Sequence, residues 1–414
     1  MSLNQTNSED VTAEQFMEGF FGFIDQEVMP IQKQLGETFR NPRLYWREDG
    51  RLSDDIVAAR REVRMASARA GYYTAFCPTE LGGAGLGAQI YYQTFEELCH
   101  RHGSPPLAQL AMHALAHTST GPTALWIHAS PELKEEVLPA LSRGELQGSF
   151  AMSEPDAGSD AWGMRTRAVR DGDFWVLNGQ KQWATWAPTA DFVITFAITD
   201  PQAFAARRGG LTCFYVPASA PGFSVDSLVP VMGEIGSEDC IISYTDLRIP
   251  DRYRIGPVDK GFQIAMQGSH GLKMTKLARV TGLARWAQEK AIEYAKVRKT
   301  FGKVIAEHQT IQNMLAQNAI DIYTCKLMGQ DLSRKLDAGT HSLGEHAMAD
   351  AFAFDAVYKV VDRCMQILGG IGLTNASHFP DAIRMLRIGR VSEGPTEIQM
   401  RMVAREVLTG RLVS

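Results

Sequence analysis

The sequence predicts an α+β fold in three parts: an N-terminal helical domain over residues 1–148, a central antiparallel β-domain over 149–255, and a C-terminal helical bundle over 256–414. Three observations carry this. Apolar residues recur at helical spacing before Ser149 and again after Gly261. Between those stretches lie short β-branched and aromatic runs bounded by Gly, Pro and Asp. No helix-length segment separates the runs, so a doubly wound parallel sheet is excluded.

The first part opens with Thr12 and Gln15, spaced as a capping box, and with Phe16, Phe20, Phe23, Ile24 and Val28 on one helical face. Helical patterning continues through residues 56–70 and 91–100, with the turn-rich loop CPTELGGAGLG between them. In the second part FWVLNGQKQW reads as a hairpin turning at Asn178-Gly179, because Asn-Gly between apolar flanks favours a two-residue turn. The runs DFVITFAIT, LTCFYVP and CIISYTDLRIP supply further strands. In the third part Trp286, Ala287, Tyr294 and Ala295 keep helical spacing, and Ile311, Met314, Leu315, Ala319 and Ile322 form the stripe of the next helix. A third helix over 346–368 stops at Gly369-Gly370, a C-terminal cap.

Apolar residues make up 45% and charged residues 21%, with a formal charge of −5 and no block of one sign, so a nucleic-acid surface is not expected. Cys77, Cys99, Cys213, Cys240, Cys325 and Cys364 are scattered without a C-x-x-C pair, which reads as reduced, buried thiols in a cytoplasmic protein. The start MSLNQTNSED is polar and acidic, unlike a signal or transit peptide. No run approaches the roughly 18 uncharged apolar residues that a membrane span needs.

Two motifs are decoys. GGAGLG lacks the G-x-G-x-x-G spacing and a βαβ context, so it reads as a tight inter-helix loop. His113 and His117 are four apart, but no carboxylate between them completes a metalloprotease pattern, and a core or subunit-contact role is the better reading.

The sharpest signal is FAMSEPDAGSD, residues 150–160: a strand end, the hydroxyls of Ser153 and Ser159, and a turn through Pro155–Gly158. Such a turn offers backbone N–H groups and hydroxyls to a phosphate or an electron-rich ring. With Ala151, Met152, Ser153, Glu154, Gly158, Ser159, Asp160 and Gly163 in place, the segment resembles the first signature of the acyl-CoA dehydrogenase family. QKQWATWA, RKTFG with EHQ, QILGGIG and SEGPTEIQ follow in that family's order.

The resemblance implies FAD as cofactor, held between the β-domain and the bundle. It places Phe150, Met152, Ser153 and Ser159 along the flavin ring, with Ser159 also near the CoA moiety, Trp183 packed on the flavin, and Thr185 hydrogen-bonded to its edge. Arg298 and Thr300, with Gln309 nearby, are implied at the diphosphate, where an arginine's planar fork donates two parallel hydrogen bonds. Gln366, Gly369 and Gly370 are implied at the adenosine end, reaching across a subunit boundary, and Thr396 and Glu397 at the flavin. Glu393 is implied as the base that removes the substrate's α-proton, with Gly394 beside the substrate. An acyl-CoA substrate, an electron-transfer flavoprotein as acceptor and a homotetramer complete what the resemblance implies.

Some relatives carry the base on an earlier helix, near Leu272 here, but GLKMTKLAR holds no carboxylate. Departures from the family pattern are Asp156, Ala376 and Asp381 in the signatures (Arg384 still matches), Lys273 for a common arginine, and Pro395-Thr396 after the Glu-Gly pair. Ser392 stands where straight-chain enzymes place an aromatic residue, which predicts a roomier acyl pocket for branched, cyclic or bulky groups. Rival readings are an oxidase or monooxygenase on the same fold and a DNA-binding relative. The chain's length and glutamate favour the dehydrogenase over the first pair, and its negative net charge disfavours the last.

Overall fold

The computed structural model describes residues 12–40, 42–103, 109–116, 121–232 and 238–412, with the side chains of 39, 40, 42, 43, 109 and 267–273 outside the description. In chain order the helices α1 (Ala13–Phe23), α2 (Met29–Leu35), α3 (Glu37–Arg40), α4 (Asp54–Ala70), α5 (Ala88–His102), α6 (Gln109–Met112) and α7 (Pro131–Ser142) come first. Strands β1 (Gly148–Ala151), β2 (Arg167–Asp171), β3 (Phe174–Gln182) and β4 (Phe192–Ile198) follow, then α8 (Pro201–Ala205). Next come β5 (Leu211–Pro217), β6 (Phe223–Leu228), β7 (Cys240–Pro250) and β8 (Arg254–Ile255). The chain then forms α9 (Gly261–Val297), the hairpin β9 (Lys299–Thr300) and β10 (Lys303–Val304), α10 (Gln309–Asp337), α11 (Leu343–Leu368), α12 (Phe379–Gly389) and α13 (Thr396–Leu408). The described residues within 1–86, 113–231 and 236–272 form one compact unit, and those within 87–112 and 273–414, with Met232, form the other.

In the first unit α1 starts as its sequence requires. The Gln15 N–H donates to the Thr12 hydroxyl at 3.3 Å and the Thr12 N–H donates to Gln15 Oε1 at 3.1 Å, closing the capping box. Phe16, Phe20, Phe23, Ile24 and Val28 are all buried, and Tyr72 packs its ring 5.5–5.8 Å from three of these phenylalanines. The sheet runs β6-β7-β3-β2-β4-β5-β8, with β1 added beside β4. Most neighbours are antiparallel, as expected; β1 lies parallel to β4, and β2 meets β4 in parallel at Arg167 and Ile198.

The expected hairpin at Asn178-Gly179 does not form. Both residues lie inside β3, which pairs with β2 on one side and β7 on the other and bulges between Leu177 and Gly179. The turn falls earlier, at Gly172 (φ 60°) between β2 and β3. Gly179 is needed for close approach instead: at φ 146°, a Cβ there would sit 2.5 Å from the Thr166 hydroxyl oxygen. Period-2 alternation sorts β4 onto two cores. Phe192, Ile194, Phe196 and Ile198 join Trp126, Leu133 and Val137 on one face, and Val193 and Ala197 join Trp175, Leu177 and Phe214 on the other.

The second unit is a bundle whose helices approach closely at glycines. A Cβ on Gly282 of α9 would lie 2.1 Å from the Glu96 carbonyl of α5, and one on Gly329 of α10 would lie 2.2 Å from the Tyr92 ring. Helix α11, opened by a Ser342–Glu345 capping box, is buried along most of its length and ends at Gly369 (φ 60°). The stripe expected on α10 is only half-buried, and Ala319 is exposed. Its buried positions are Asn318, Cys325, Gly329, Leu332 and Ser333. The polar Asn318 goes inside because every group is answered: it donates to Gln288 Oε1 at 2.9 Å and accepts from Arg363 Nε at 2.6 Å.

All six cysteines are buried and unpaired by disulfides. His113 is buried with its ring 5.6 Å from Trp186, whereas His117 lies outside the described residues. Among the described residues no group of His, Cys, Asp or Glu is arranged to hold a metal, and no helix is long and apolar enough to cross a membrane.

Candidate functional site

In the first unit the signature segment leaves β1 at Ala151, which pairs with Thr195 of β4. Its path is fixed by a lysine from the next strand but one. Lys181, fully buried, donates to the Met152 carbonyl at 3.0 Å and to Glu154 Oε1 at 2.8 Å. Glu154 also accepts from the N–H groups of Arg165 (2.6 Å) and Thr166 (3.0 Å). Burial drives the Lys181 ammonium down to about 8 against the opposing pull of Glu154. Burial pushes the Glu154 carboxyl up, but Lys181 and these hydrogen bonds outweigh it and hold the group below the usual carboxylate range.

In the turn after Ser153 the N–H of Glu154 and the N–H of Ala157 each donate to the other's carbonyl, at 2.9 and 3.0 Å, so these two are taken. Its hydroxyls remain: Ser153 is half-buried and Ser159 exposed.

Gln182 at the end of β3 donates its N–H to the Ser153 carbonyl at 2.9 Å, which brings Met152 and Ser153 beside Trp183. Trp183 holds a left-handed backbone (φ 63°) and leaves 48% of its surface exposed, an uncommon state for a large apolar residue. Two residues on, Thr185 donates its hydroxyl to Asp239 Oδ1 at 2.5 Å and accepts at its carbonyl from Ser149 at 2.7 Å. The Thr185 hydroxyl is thereby left as an acceptor toward anything else it meets. Phe150, whose ring lies 5.2 Å from Phe196, and Met152 pack on the core beneath. Phe150, Met152, Ser153, Trp183 and Thr185 thus form one ledge, with Ser159 on the exposed loop at its side.

In the second unit the remaining predicted residues lie on three different stretches. Arg298 and Thr300 flank the hairpin whose tip, Phe301-Gly302, is left-handed at both residues (φ 50° and 81°), the geometry of a two-residue turn matched to strand twist. The Arg298 carbonyl accepts from the Ile305 N–H at 2.8 Å, and the Thr300 hydroxyl pairs with His308 Nε2 at 3.2 Å, next to Gln309 at the start of α10. The Arg298 guanidinium is exposed. Gln366 is exposed in the last turn of α11, and a Cβ on Gly369 or Gly370 would meet nothing within 4 Å, so this corner is open to a ligand's approach.

Glu393 occupies the turn between α12 and α13. The N–H groups of Val391 and Ser392 still donate to Ile388, but Glu393 itself turns left-handed (φ 58°), followed by Gly394 (φ 101°). A non-glycine residue there costs on the order of 1–2 kcal/mol and persists where its surroundings over-determine it. They do so here. Thr396 donates its N–H to the Arg390 carbonyl at 3.1 Å, and the buried Gln399 donates to the Gly394 carbonyl at 3.1 Å. Glu397 is exposed in the first turn of α13.

One residue of this site was missed by sequence reasoning. Lys276 of α9 places its Nζ 3.7 Å from Glu393 Oε2 and 3.1 Å from the Ser392 carbonyl it donates to. It lies in GLKMTKLAR as one of two lysines and, set between Thr275 and Leu277, carries no distinguishing sequence signal. Two departures are absorbed locally. Asp381 is buried against Arg384 (3.5 Å) and His378 (3.4 Å), and Asp156 pairs with Arg165 at 3.2 Å.

Each unit by itself carries features that suit part of a flavin nucleotide: in the first an indole and thioether ledge with hydroxyls at its edge suits a flat ring, and in the second an exposed arginine suits a diphosphate beside a glycine corner with free space. The comparisons with known proteins agree. The profile of the acyl-CoA dehydrogenase N-terminal domain matches residues 11–145, that of the middle domain 149–247 and that of the C-terminal domain 259–408. The chain is 30% identical over 386 residues to a 3-(aryl)acrylate reductase of Clostridium sporogenes, covering 93% of this chain and 96% of the relative. It is 30% identical over 348 residues to the CarC subunit of the caffeyl-CoA reductase-Etf complex of Acetobacterium woodii, covering 84% and 90%. A solved FAD complex of PigA superposes with a TM-score of 0.81 at 25% identity, covering 99% of this chain and all of that one. The chain belongs to the acyl-CoA dehydrogenase family of oxidoreductases.

Proposed function

We propose that the protein catalyses FAD-dependent α,β-dehydrogenation of an acyl-CoA thioester to the trans-2-enoyl thioester, or the same reaction run backwards, with Glu393 as the base. The observation that carries this reading is the left-handed turn that presents Glu393 beside Lys276, inside the stretch matched by the C-terminal domain profile. Bound FAD supplies the two-electron acceptor for the β-hydride. The chain's own residues do the rest. The Glu393 carboxylate takes the α-proton, and the C–H electron pair becomes the new Cα–Cβ double bond as hydride leaves the β-carbon. The ledge of Met152, Ser153, Trp183 and Thr185 orients the flat ring. Arg298, Thr300 and Gln309 suit the diphosphate, and Gln366, Gly369 and Gly370 the adenosine end. Ser159 and Gly394 are the substrate contacts in this reading, and Thr396 and Glu397 complete the flavin side.

The small Ser392 next to the base supports a bulky acyl group, and both named relatives carry aryl substrates in their names. We therefore place an aryl-substituted or branched acyl group first among candidates. The relative within an Etf complex supports an electron-transfer flavoprotein as partner. A homotetramer and a cytoplasmic location are proposed with it, the latter from the six buried free thiols.

The test is an absorbance spectrum of the purified protein followed by anaerobic addition of straight-chain, branched and arylpropionyl-CoA thioesters, each beside its free acid. Flavin absorbance bleached by an arylpropionyl or branched thioester supports the reading. Bleaching by straight-chain thioesters alone removes the roomy-pocket proposal and leaves the dehydrogenation. A flavin that no thioester reduces, and whose photoreduced form no aryl-enoyl thioester reoxidises, overturns it in favour of an oxidase, a monooxygenase or a non-catalytic relative.

A further inference from the structure

Lys276 invites a question that the proposed chemistry does not answer: why a mostly buried ammonium stands beside a carboxylate base. Only 11% of its side chain is exposed, against 40% for Glu393. Removing an ammonium from water is costly, so its contacts must compensate. All the contacts described lie around one turn. Nζ donates to the Ser392 carbonyl at 3.1 Å, lies 3.7 Å from Glu393 Oε2, and sits 5.0 Å from the centroid of the Phe354 ring on α11. The lysine therefore grips the backbone immediately before Glu393, shows its charge to the carboxylate, and is itself steadied by an aromatic face.

We propose that Lys276 is a positioning residue for Glu393: it holds the left-handed turn in place and keeps the carboxylate ionised, and so able to accept a proton, into mildly acidic solution. This rests on the reading of Glu393 as base. The same elements carry other charges. Arg390, closing α12, reaches Asp355 of α11 at 3.8 Å, and Asp355 also pairs with Lys359. Asp381 pairs with Arg384 and His378 on α12, and Glu397 stands exposed on α13. These groups stay constant when only position 276 changes, so a shift seen there reports on Lys276.

The experiment compares wild type, K276M, K276R and E393Q as holoproteins in anaerobic flavin reduction by the best thioester, across pH 5–9. An opposite charge within about 4–6 Å lowers a carboxylate's protonation midpoint by roughly 1–3 units, and partial exposure favours the small end. K276M should therefore move the acid limb of the rate profile up by about one pH unit while its alkaline plateau stays within a few-fold of wild type. K276R should return the limb toward the wild-type position. The second readout needs no turnover: thermal midpoints of K276M, E393Q and the double variant at pH 7 should be non-additive, because the two residues share one interaction. Should K276M not fold, K276Q carries the same comparison. A uniform rate loss at every pH in both K276M and K276R, or an unmoved limb with additive midpoints, overturns the proposal. If E393Q reduces its flavin at the wild-type rate, the reading of Glu393 as base fails instead, and the two failures are thereby told apart.

Discussion

Two lysine–glutamate pairs, one in each unit, use the same residue types and are built differently. Lys181 and Glu154 in the β-domain are 2.8 Å apart, essentially without solvent, and every described neighbour is a backbone group or a core side chain. Lys276 and Glu393 in the bundle are 3.7 Å apart, and the glutamate keeps 40% of its side chain exposed. The first pair has no freedom to move or to trade protons: it locks the Met152 carbonyl and the turn after it. The second is loose enough for a carboxylate to reach something else. In the proposed reading, bracing and reactivity thus use the same two residue types and differ in burial, distance and the number of fixed partners.

The comparison breaks most readily at the buried pair. K181M leaves Glu154 buried without its counter-charge and should cost about 3–5 kcal/mol in urea unfolding. A loss below 1 kcal/mol would mean the pair is no brace. The acid limb of stability sharpens the same point. Because the folded Glu154 carboxyl is held below its unfolded value of about 4.3, its contribution is complete above that pH and is lost as pH falls through the lowered folded value. E154Q should flatten the fall in thermal midpoint as pH drops below about 4.3.

Next in size, W183A removes the exposed ring from the ledge. FAD rebinding to the flavin-stripped protein, followed by fluorescence, should weaken about 2- to 10-fold, the value of an aromatic stacking contact of roughly 0.5–1.5 kcal/mol. Unchanged affinity would detach Trp183 from the flavin. The smallest effect belongs to the loose pair: K276M should change unfolding stability by about 1 kcal/mol or less, as for other part-exposed ion pairs. A loss as large as that of K181M would make the two pairs alike and end the distinction.

Much of this was legible in the sequence, and the misses share a cause. The helix-β-helix order, the capping box at Thr12 and the strands around Phe192 follow from local patterns, which report local structure well. Asn178-Gly179 read as a hairpin because the dipeptide suits a tight turn, yet the glycine there admits Thr166, just before β2, a demand of strand packing that the dipeptide does not show. The α10 stripe shifted for the same reason: Asn318 is welcome inside only because Gln288 and Arg363 meet it there. Ordered motifs singled out candidate residues in both units. The approach of Lys276 to Glu393 is not written in spacing, since it arises from tertiary packing.

The central claim is that Glu393 is the base, and one measurement addresses it: stopped-flow anaerobic reduction of the bound flavin in E393Q beside wild type, using the thioester that bleaches the wild-type protein. The account predicts that E393Q keeps its flavin and binds the thioester but is reduced on the order of 10²–10⁴-fold more slowly. Reduction within a few-fold of wild type, with the flavin fully retained, would contradict it.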